Sequence, residues 1–393
     1  MQPTGILETA KATDPLKALL SYGQSMWLDY IRRDLITSGS LKKMIQDDGL
    51  RGMTSNPAIF EKAIGESSLY DDILKSLASR RDLDATGRYE LIAIRDIQDV
   101  ADVLRPVYEE SKFRDGYVSL EVSPLLALKT QETIEEARRL WKAVNRENVM
   151  IKVPGTAEGL PAIRQLIGEG ININVTLLFA QEVYEKVADA YIAGLEDLGK
   201  SGGNLNKIAS VASFFISRID SLVDSMIDDK LKTAADAEQQ ALLKSLKGKV
   251  AIANGKLTYQ RYRRLFSGPR WEACAAKGAQ TQRVLWASTS TKNPAYRDVM
   301  YVEDLIGPDT VNTMPPATIT AFADHGETKR TVDTNLDEER ALIAKLEQFG
   351  VPLKGVTDTL LREGIASFGK SFDTLIAGLE AKRRTLDATV AAK

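Results

Sequence analysis

A single lysine, Lys152, interrupts a short apolar run at residues 148–154, which ends in Pro154 and Gly155. A run of this length, rich in Val and Ile and bounded by turn-forming residues, predicts a buried strand. Strands without polar alternation are typical of parallel sheets that are covered on both faces. An isolated ammonium group is costly to bury there, so Lys152 either pairs with a carboxylate or reaches past the strand end. The functional alternative is a desolvated amine that is neutral often enough to attack a carbonyl.

Other polar residues stand at or near the ends of the remaining predicted strands. They are Asp29, Asn56, Glu121, Asn174, Thr176, Ser213 and Ser288. Each also has a structural interpretation, because Asp29 could cap a helix, Glu121 could pair with an arginine, and asparagines can satisfy turn backbones. A polar residue at the end of nearly every strand, with a lysine among them, is difficult to attribute to core packing alone.

This set of side chains suits Schiff-base chemistry. The lysine amine would attack a ketone, the carbinolamine would lose water, and a carbon–carbon bond would break and form again with an acceptor aldehyde. Each step needs a proton given or taken at a defined place. One carboxylate near the lysine could act through a water molecule, and a second could serve the departing hydroxyl. Amide and hydroxyl side chains could hold sugar hydroxyls.

Eight strand candidates alternate with helical stretches along the chain. The candidates are residues 24–30, 50–55, 117–122, 148–154, 170–176, 207–213, 283–288 and 310–314. Alternating strands and helices predict a parallel sheet, and eight such units predict a closed (β/α)8 TIM barrel of the α/β class. A doubly wound open sheet is the alternative, but no Gly-x-Gly-x-x-Gly motif follows the first strand. A barrel of this kind carries its active site at the C-terminal ends of the strands.

The remaining segments are interpreted as additions to one domain that spans residues 1–393. Residues 1–15 are predicted to form a polar arm, residues 229–280 a mainly helical insertion, and residues 336–390 C-terminal helices. Apolar residues in the last segment follow steps of four and three, which indicates a helix packed on the body of the protein rather than a partner interface. They are Leu361, Ile365, Phe368, Phe372, Leu375 and Leu379.

Composition argues against several functional classes. The net charge of −2 and the pI of about 5.8 provide no basic surface for a nucleic acid or a membrane. The single Cys274 excludes an intrachain disulfide, and the single His325 argues against a His-rich zinc site or a Ser-His-Asp triad. Because no signal-peptide core or membrane-spanning run is visible, we expect a soluble, cytoplasmic protein.

Five motifs together resemble the transaldolase family, in the order in which that family carries them. They are Met-Thr-Ser-Asn-Pro at 53–57, Ser-Leu-Glu-Val at 119–122, Met-Ile-Lys-Val-Pro at 150–154, Ile-Asn-Ile-Asn-Val-Thr-Leu-Leu-Phe at 171–179 and Ser-Phe-Phe-Ile-Ser-Arg-Ile-Asp at 213–220. The resemblance implies transfer of a dihydroxyacetone unit from sedoheptulose 7-phosphate or fructose 6-phosphate to an aldose phosphate, glyceraldehyde 3-phosphate or erythrose 4-phosphate. It also implies that no metal or organic cofactor is used. A homo-oligomer is compatible with the sequence.

The resemblance assigns a role to each candidate catalytic residue. Lys152 matches the Schiff-base lysine, and Glu121 matches the carboxylate that holds the catalytic water together with Thr176. Asp29 matches the acid/base group that takes the proton from the C4 hydroxyl of the donor.

The substrate-binding positions follow in the same way. Asn56 and Asn174 match residues that bind the dihydroxyacetone unit. Three further residues match positions that bind the phosphate end of the sugar, namely Ser213, Arg218 and Ser288. The family usually has an arginine two positions after this last serine, where the present chain has Ser290. Lys292 could supply the missing charge, although lysine and arginine bind phosphate with different geometry.

Three other functions compete with transaldolase. A fructose-6-phosphate aldolase would share the lysine and the fold, but related aldolases tend to have a tyrosine where this chain has Phe215. A non-catalytic sugar-phosphate-binding barrel would not need Lys152 and Glu121. A glycosidase could use Asp29 and Glu121 as its carboxylate pair, but it would leave Lys152 without a role.

Overall fold

The computed structural model describes residues 14–391 except 66, 78, 79 and 81, and for residues 386–391 it describes the backbone only. The predicted polar arm therefore lies almost entirely outside the described residues, and a helix begins at Pro15. Within the described part of the chain, no helix combines the length and the apolar character needed to cross a membrane.

Eight parallel strands close into a barrel in their order along the chain, and β1 pairs with β8 to complete it. The strands are β1 Gln24–Asp29, β2 Gly52–Thr54, β3 Tyr117–Glu121, β4 Val149–Pro154, β5 Ile173–Leu178, β6 Ser210–Phe215, β7 Arg283–Ala287 and β8 Thr310–Met314. The predicted (β/α)8 barrel is confirmed.

Helices surround the barrel and follow it at the C-terminal end of the chain. They are α1 Pro15–Ser21, α2 Arg33–Thr37, α3 Ser40–Asp47, α4 Pro57–Gly65, α5 Asp71–Ser76, α6 Ala85–Glu110, α7 Thr130–Val144, α8 Gly159–Gly168, α9 Gln181–Lys200, α10 Ser217–Leu231, α11 Ala237–Leu246, α12 Val250–Leu265, α13 Pro269–Ala275, α14 Met300–Glu303, α15 Pro316–His325, α16 Leu336–Gln348 and α17 Leu353–Ala391. Short 3₁₀ turns lie at Pro124–Leu126 and Leu205–Lys207.

Strands β5 and β6 begin and end later than the sequence pattern predicts. The side chain of Asn172 bonds to the backbone oxygens of Glu147 and Val149, and it accepts a hydrogen bond from the Ala209 N–H. Asn172 therefore joins neighbouring loops, and β5 starts only at Ile173. A bulge between Val175 and Leu178 then extends β5 beyond its predicted end. As a result, Thr176 lies within a strand rather than at its end.

A buried polar cluster lies in the barrel interior, toward the N-terminal ends of the strands. Arg283 of β7 donates to the Ser25 hydroxyl and to Asp115 at 2.8 Å each, and Trp27 donates to the same carboxylate. Burial alone would raise the pKa of Asp115, but the Arg283 guanidinium and these hydrogen bonds hold it below its ordinary value. Gly52 makes room for the cluster, because a Cβ there would lie 2.5 Å from the Trp27 ring.

The long helix α17 packs back onto the barrel, mainly against α4 and α6. The predicted apolar stripe faces the body of the protein, with Phe368, Phe372, Leu375 and Leu379 all buried. The interpretation of this segment as a packed helix is confirmed. It also places α17 close to the C-terminal ends of the strands, since it contacts β5 directly.

The buried cluster generates a stability prediction. Substituting Arg283→Met should lower the free energy of unfolding by about 3–5 kcal/mol, because Asp115 would remain buried without its countercharge. Urea unfolding followed by circular dichroism measures this change. Arg138→Met is the matched control, since Arg138 forms a solvent-exposed ion pair with Glu169 and should change the midpoint little. Equal shifts in both variants would contradict the structural role of the cluster.

Candidate active site

The strand register brings the lysine and its predicted partners side by side. Lys152 of β4 stands opposite Glu121 of β3 on one side and opposite Asn174 of β5 on the other. Because all strands run in the same direction, their C-terminal ends share one face of the barrel. Asp29, at the end of β1, stands opposite Thr54 of β2 on the same face.

Lys152 is buried and has two polar neighbours. Its Nζ donates to the backbone oxygen of Ser55 at 3.0 Å and lies 3.1 Å from Oε2 of Glu121. The side chains of Lys152 and Glu121 are only 6% and 4% exposed. Of the alternatives weighed from the sequence, pairing with a carboxylate is therefore what the structure shows. This pairing is compatible with catalysis, because a neighbouring carboxylate can accept the proton of the ammonium group.

Glu121 contacts Lys152 as an ion pair, but the contact lacks the directions of a hydrogen bond. Neither carboxylate oxygen of Glu121 has a hydrogen-bond partner among the described residues, and the same holds for the buried hydroxyl of Thr176. Burial raises the pKa of Glu121 above its ordinary value, although the Lys152 ammonium acts in the opposite direction. Buried polar groups without partners are rare in native structures, and they mark positions that suit a water or a ligand.

Asp29 is held in place by hydroxyl groups. The Thr54 hydroxyl donates to Oδ1 of Asp29 at 2.7 Å, and it lies 2.7 Å from the hydroxyl oxygen of Thr313 on β8. Burial raises the pKa of Asp29, while the charge of Lys152 and the bond from Thr54 lower it in part. A carboxylate with a raised pKa can exchange a proton with a substrate hydroxyl near neutral pH.

A cavity of about 510 Å³ opens over these residues. Eight of the ten residues predicted from the sequence line it, namely Asp29, Asn56, Lys152, Thr176, Ser213, Arg218, Ser288 and Lys292. Glu121 and Asn174 are not part of its lining. Glu121 lies behind Lys152, and Asn174 is fully buried.

Asn56 and Asn174 differ in their surroundings. Asn56 faces the cavity, and its side-chain oxygen accepts a hydrogen bond from the Ile59 N–H in the first turn of α4. Asn174 donates to Ser119 at 3.0 Å and accepts from the Ser213 hydroxyl at 2.7 Å. Asn174 thus reaches the cavity through Ser213, whose side chain it orients.

One end of the cavity is rich in cationic groups. Arg218 of α10 lies with its guanidinium carbon 5.4 Å from the centre of the Phe215 ring. Lys292 donates to the Ser290 hydroxyl at 2.6 Å, and the nearby Ser288 has a left-handed backbone with φ of 57°. Burial lowers the pKa of Lys292, and the neighbouring Arg218 lowers it further, although much of the lysine side chain remains exposed to the cleft.

Positively charged side chains outnumber carboxylates in the lining of the cavity. Lys62, Lys152, Arg218 and Lys292 contribute positive charge, and Asp29 is the one carboxylate among the lining residues. A cleft lined by one sign of charge raises the local concentration of oppositely charged ligands. The cavity therefore suits an anionic substrate. Among the described residues, no group of His, Cys, Asp and Glu side chains is arranged to hold a metal ion.

Sequence reasoning missed several residues of the site. Thr54 belongs to the motif at 53–57, so its position on a strand beside Asp29 could have revealed it. Thr313 lies on β8, where no motif was recognised. The cavity is also lined by Lys62 of α4 and by Ser367, Phe368 and Ser371 of α17. Tertiary packing brings α17 to the cavity, and no local pattern reports that placement.

Comparisons with known proteins identify the family of this chain. A family model described as transaldolase/fructose-6-phosphate aldolase matches residues 26–379. The "Transaldolase" of Trichodesmium erythraeum is 51% identical over 377 residues, which cover 95% of this chain and 99% of the relative. "Transaldolase 2" of Nostoc sp. is 50% identical over 378 residues, with the same two shares. The "Transaldolase" of Thermobifida fusca is 47% identical over 363 residues, covering 92% of this chain and 96% of the relative. The chain therefore belongs to the transaldolase/fructose-6-phosphate aldolase family.

Proposed function

We propose that the protein is a Schiff-base transaldolase. It would transfer a dihydroxyacetone unit from sedoheptulose 7-phosphate or fructose 6-phosphate to glyceraldehyde 3-phosphate or erythrose 4-phosphate. The observation that carries the proposal is the buried Lys152, which lies 3.1 Å from Glu121 and lines a cavity together with Asp29. The cytoplasmic location stays a prediction from the sequence.

The reaction begins when Lys152 becomes a nucleophile. Glu121 accepts a proton from the ammonium group, and the neutral Nζ attacks the C2 carbonyl of the ketose. The resulting carbinolamine takes up a proton at its hydroxyl and loses water, which leaves a protonated Schiff base. The raised pKa of Glu121 supports this role, because a basic carboxylate is a better proton acceptor.

Asp29 then controls the carbon–carbon bond. Its carboxylate removes the proton of the C4 hydroxyl, the C3–C4 bond breaks, and the electron pair passes to the iminium as an enamine forms. The aldose leaves as an aldehyde. With an acceptor aldehyde the steps reverse: C3 attacks the aldehyde carbon, and Asp29 returns its proton to the new hydroxyl oxygen.

Release of the product requires water at the Schiff base. Glu121 and Thr176 are suited to hold it, because Oε1 of Glu121 and the buried hydroxyl of Thr176 have no hydrogen-bond partner among the described residues. Water adds to C2 and gives a proton to the carboxylate, and the amine of Lys152 leaves as the carbonyl forms again.

The cationic end of the cavity would bind the phosphate group. Arg218, Lys292 and Ser288 line this end, and Asn56 would hold the dihydroxyacetone unit nearer to Lys152. We place Ser213 beside Asn56 rather than at the phosphate end that the resemblance implies, because its hydroxyl bonds to Asn174, the neighbour of Lys152 in the sheet. Arginine can bind a phosphate with two parallel hydrogen bonds, whereas lysine acts as a point charge.

A second candidate function is cleavage of fructose 6-phosphate to free dihydroxyacetone. The family description includes such aldolases. Phe215 argues against this alternative, because its ring lines the cavity and has no hydroxyl to assist water attack on the Schiff base. Release of dihydroxyacetone in the absence of an acceptor, at the rate of transfer, would favour the aldolase.

The Schiff-base role generates the first functional prediction. Treatment with fructose 6-phosphate and borohydride should leave a dihydroxyacetone-sized adduct on Lys152, located by peptide mass mapping. Lys152→Ala should lose the adduct and essentially all turnover. Lys256→Ala is a matched control, since Lys256 is also buried and pairs with Glu339 at 3.0 Å but does not line the cavity. Normal turnover in Lys152→Ala would overturn the proposal.

The variant Asp29→Asn distinguishes the proposed role of Asp29 from that of Glu121. This variant should lower kcat about a hundredfold or more, because general acid–base catalysis contributes that much. It should still form the borohydride adduct with dihydroxyacetone, since Lys152 and Glu121 remain. Failure of both reactions in a folded variant would contradict a role confined to the C3–C4 bond.

The same substitution has a pH-dependent effect on stability. The folded pKa of Asp29 is raised, so its ionisation costs folding free energy as the pH rises from the ordinary Asp pKa through the folded value. Asp29→Asn should therefore gain stability over wild type as the pH rises from 4 to 8, measured by urea unfolding. Asp34→Asn is the control, because a hydrogen bond from Arg32 lowers the pKa of Asp34; this carboxylate is ionised in the folded and unfolded states over most of the range, so the effect of its substitution should vary little between pH 4 and 8.

The phosphate role of Lys292 is tested by substrate choice. Lys292→Ala should raise KM for phosphorylated substrates about tenfold and leave KM for unphosphorylated donors such as dihydroxyacetone nearly unchanged, because only the former bind the cationic end. Lys370→Ala is the control, since Lys370 is exposed on α17 and does not line the cavity. Adding Ser290→Arg to Lys292→Ala should restore part of the affinity. An equal effect on both substrate types would show that Lys292 is not a phosphate ligand.

A further inference from the structure

The C-terminal helix α17 contributes a wall of the substrate cavity. Ser367, Phe368 and Ser371 all line it, although they follow Lys152 by more than two hundred residues. Ser367 and Ser371 are four residues apart, so one helical turn places their hydroxyls on the same face. This wall has no role in the reaction steps derived above.

The wall lies at the cationic end of the cavity rather than at the lysine. The guanidinium carbon of Arg218 lies 6.0 Å from the centre of the Phe368 ring and 5.4 Å from that of Phe215. Arg218 is thus held between an aromatic ring of the barrel and one of α17. Both serines line the same cavity as Phe368 and Arg218.

Neither serine hydroxyl has a hydrogen-bond partner among the described residues. Elsewhere on this helix Thr357 and Thr374 donate to backbone oxygens of the preceding turn, those of Lys354 and Lys370. Within the described part of the chain, Ser367 and Ser371 make no such bond. Their hydroxyls are free to donate to a ligand in the cavity.

The approach of α17 to the barrel is close and is allowed by a glycine. A Cβ at Gly364 would lie 2.9 Å from Cδ2 of Leu177. Leu177 belongs to the bulge of β5, has a left-handed φ of 61°, and directly follows Thr176. At Gly364, one turn before Ser367, α17 therefore contacts β5, the strand that carries the predicted catalytic residue Thr176.

We propose that α17 is the phosphate-end wall of the substrate site, where Ser367 and Ser371 donate hydrogen bonds to the phosphate group of the sugar. This inference rests on the proposed transaldolase function. It extends the phosphate site beyond the barrel strands and loops, and it makes the two serines determinants of specificity for phosphorylated substrates.

The test is the double variant Ser367→Ala/Ser371→Ala. KM for fructose 6-phosphate and for glyceraldehyde 3-phosphate should rise about tenfold or more, because the charged phosphate group loses the hydrogen bond that each serine hydroxyl donates to it. The kcat value should change little, and KM for the unphosphorylated acceptor glyceraldehyde should be unchanged. Competitive inhibition by inorganic phosphate should weaken by a similar factor.

Thr374→Ala is the matched control, because its hydroxyl bonds to the helix backbone and does not line the cavity. Borohydride trapping on Lys152 distinguishes failure of the proposal from failure of the proposed function. If wild type forms the adduct and the double variant keeps wild-type KM and phosphate inhibition, the α17 wall does not bind phosphate. Equal losses with phosphorylated and unphosphorylated substrates would also overturn it. An absence of the adduct in wild type would overturn the transaldolase function itself, and this inference with it.

Discussion

The ion pair between Lys152 and Glu121 is the interaction on which the site depends. Two charged groups are removed from water at the end of adjacent strands, and desolvation of such a pair costs several kcal/mol per ion before their attraction is counted. The closed barrel keeps both backbones in register, so the Cα atoms of the two residues cannot move apart without breaking the sheet. In the proposed mechanism, this rigidity would hold the amine beside its proton acceptor and leave the remaining chemistry to groups on the cavity side.

The two carboxylates have different surroundings, and these support different proposed roles. Glu121 lies behind the lysine and outside the cavity lining, whereas Asp29 faces the cavity and is oriented by Thr54. Burial raises the pKa of both, but only Asp29 lines the cavity in which the substrate is proposed to bind. In the proposed mechanism, the barrel would thus separate the proton transfers at nitrogen and water from those at the breaking carbon–carbon bond.

The sequence predicts the barrel and eight of the residues that line the cavity, because the strands and the motifs at their ends follow from local patterns. A strand ends in a recognisable turn, and its last polar residue lies on the catalytic face, as for Asp29 and Lys152. Other features depend on contacts between distant segments. The shift of β5 follows from side-chain bonds of Asn172 to neighbouring loops, and the Asp115–Arg283 cluster joins segments far apart in the chain. The apolar stripe of α17 predicts that it packs, but not which surface it covers.

The position of α17 has a consequence for the order in which the protein is made. All eight strands of the barrel precede this helix in the chain, so the ribosome makes them before it makes α17. All the barrel residues around Lys152 can be in place while the side of the cavity that α17 occupies is still open to water. A nascent chain at that stage would hold a lysine and a carboxylate in a wide cleft. Selectivity for particular sugars would then be acquired only after α17 has been made and has packed on the barrel, later than the reactive centre itself.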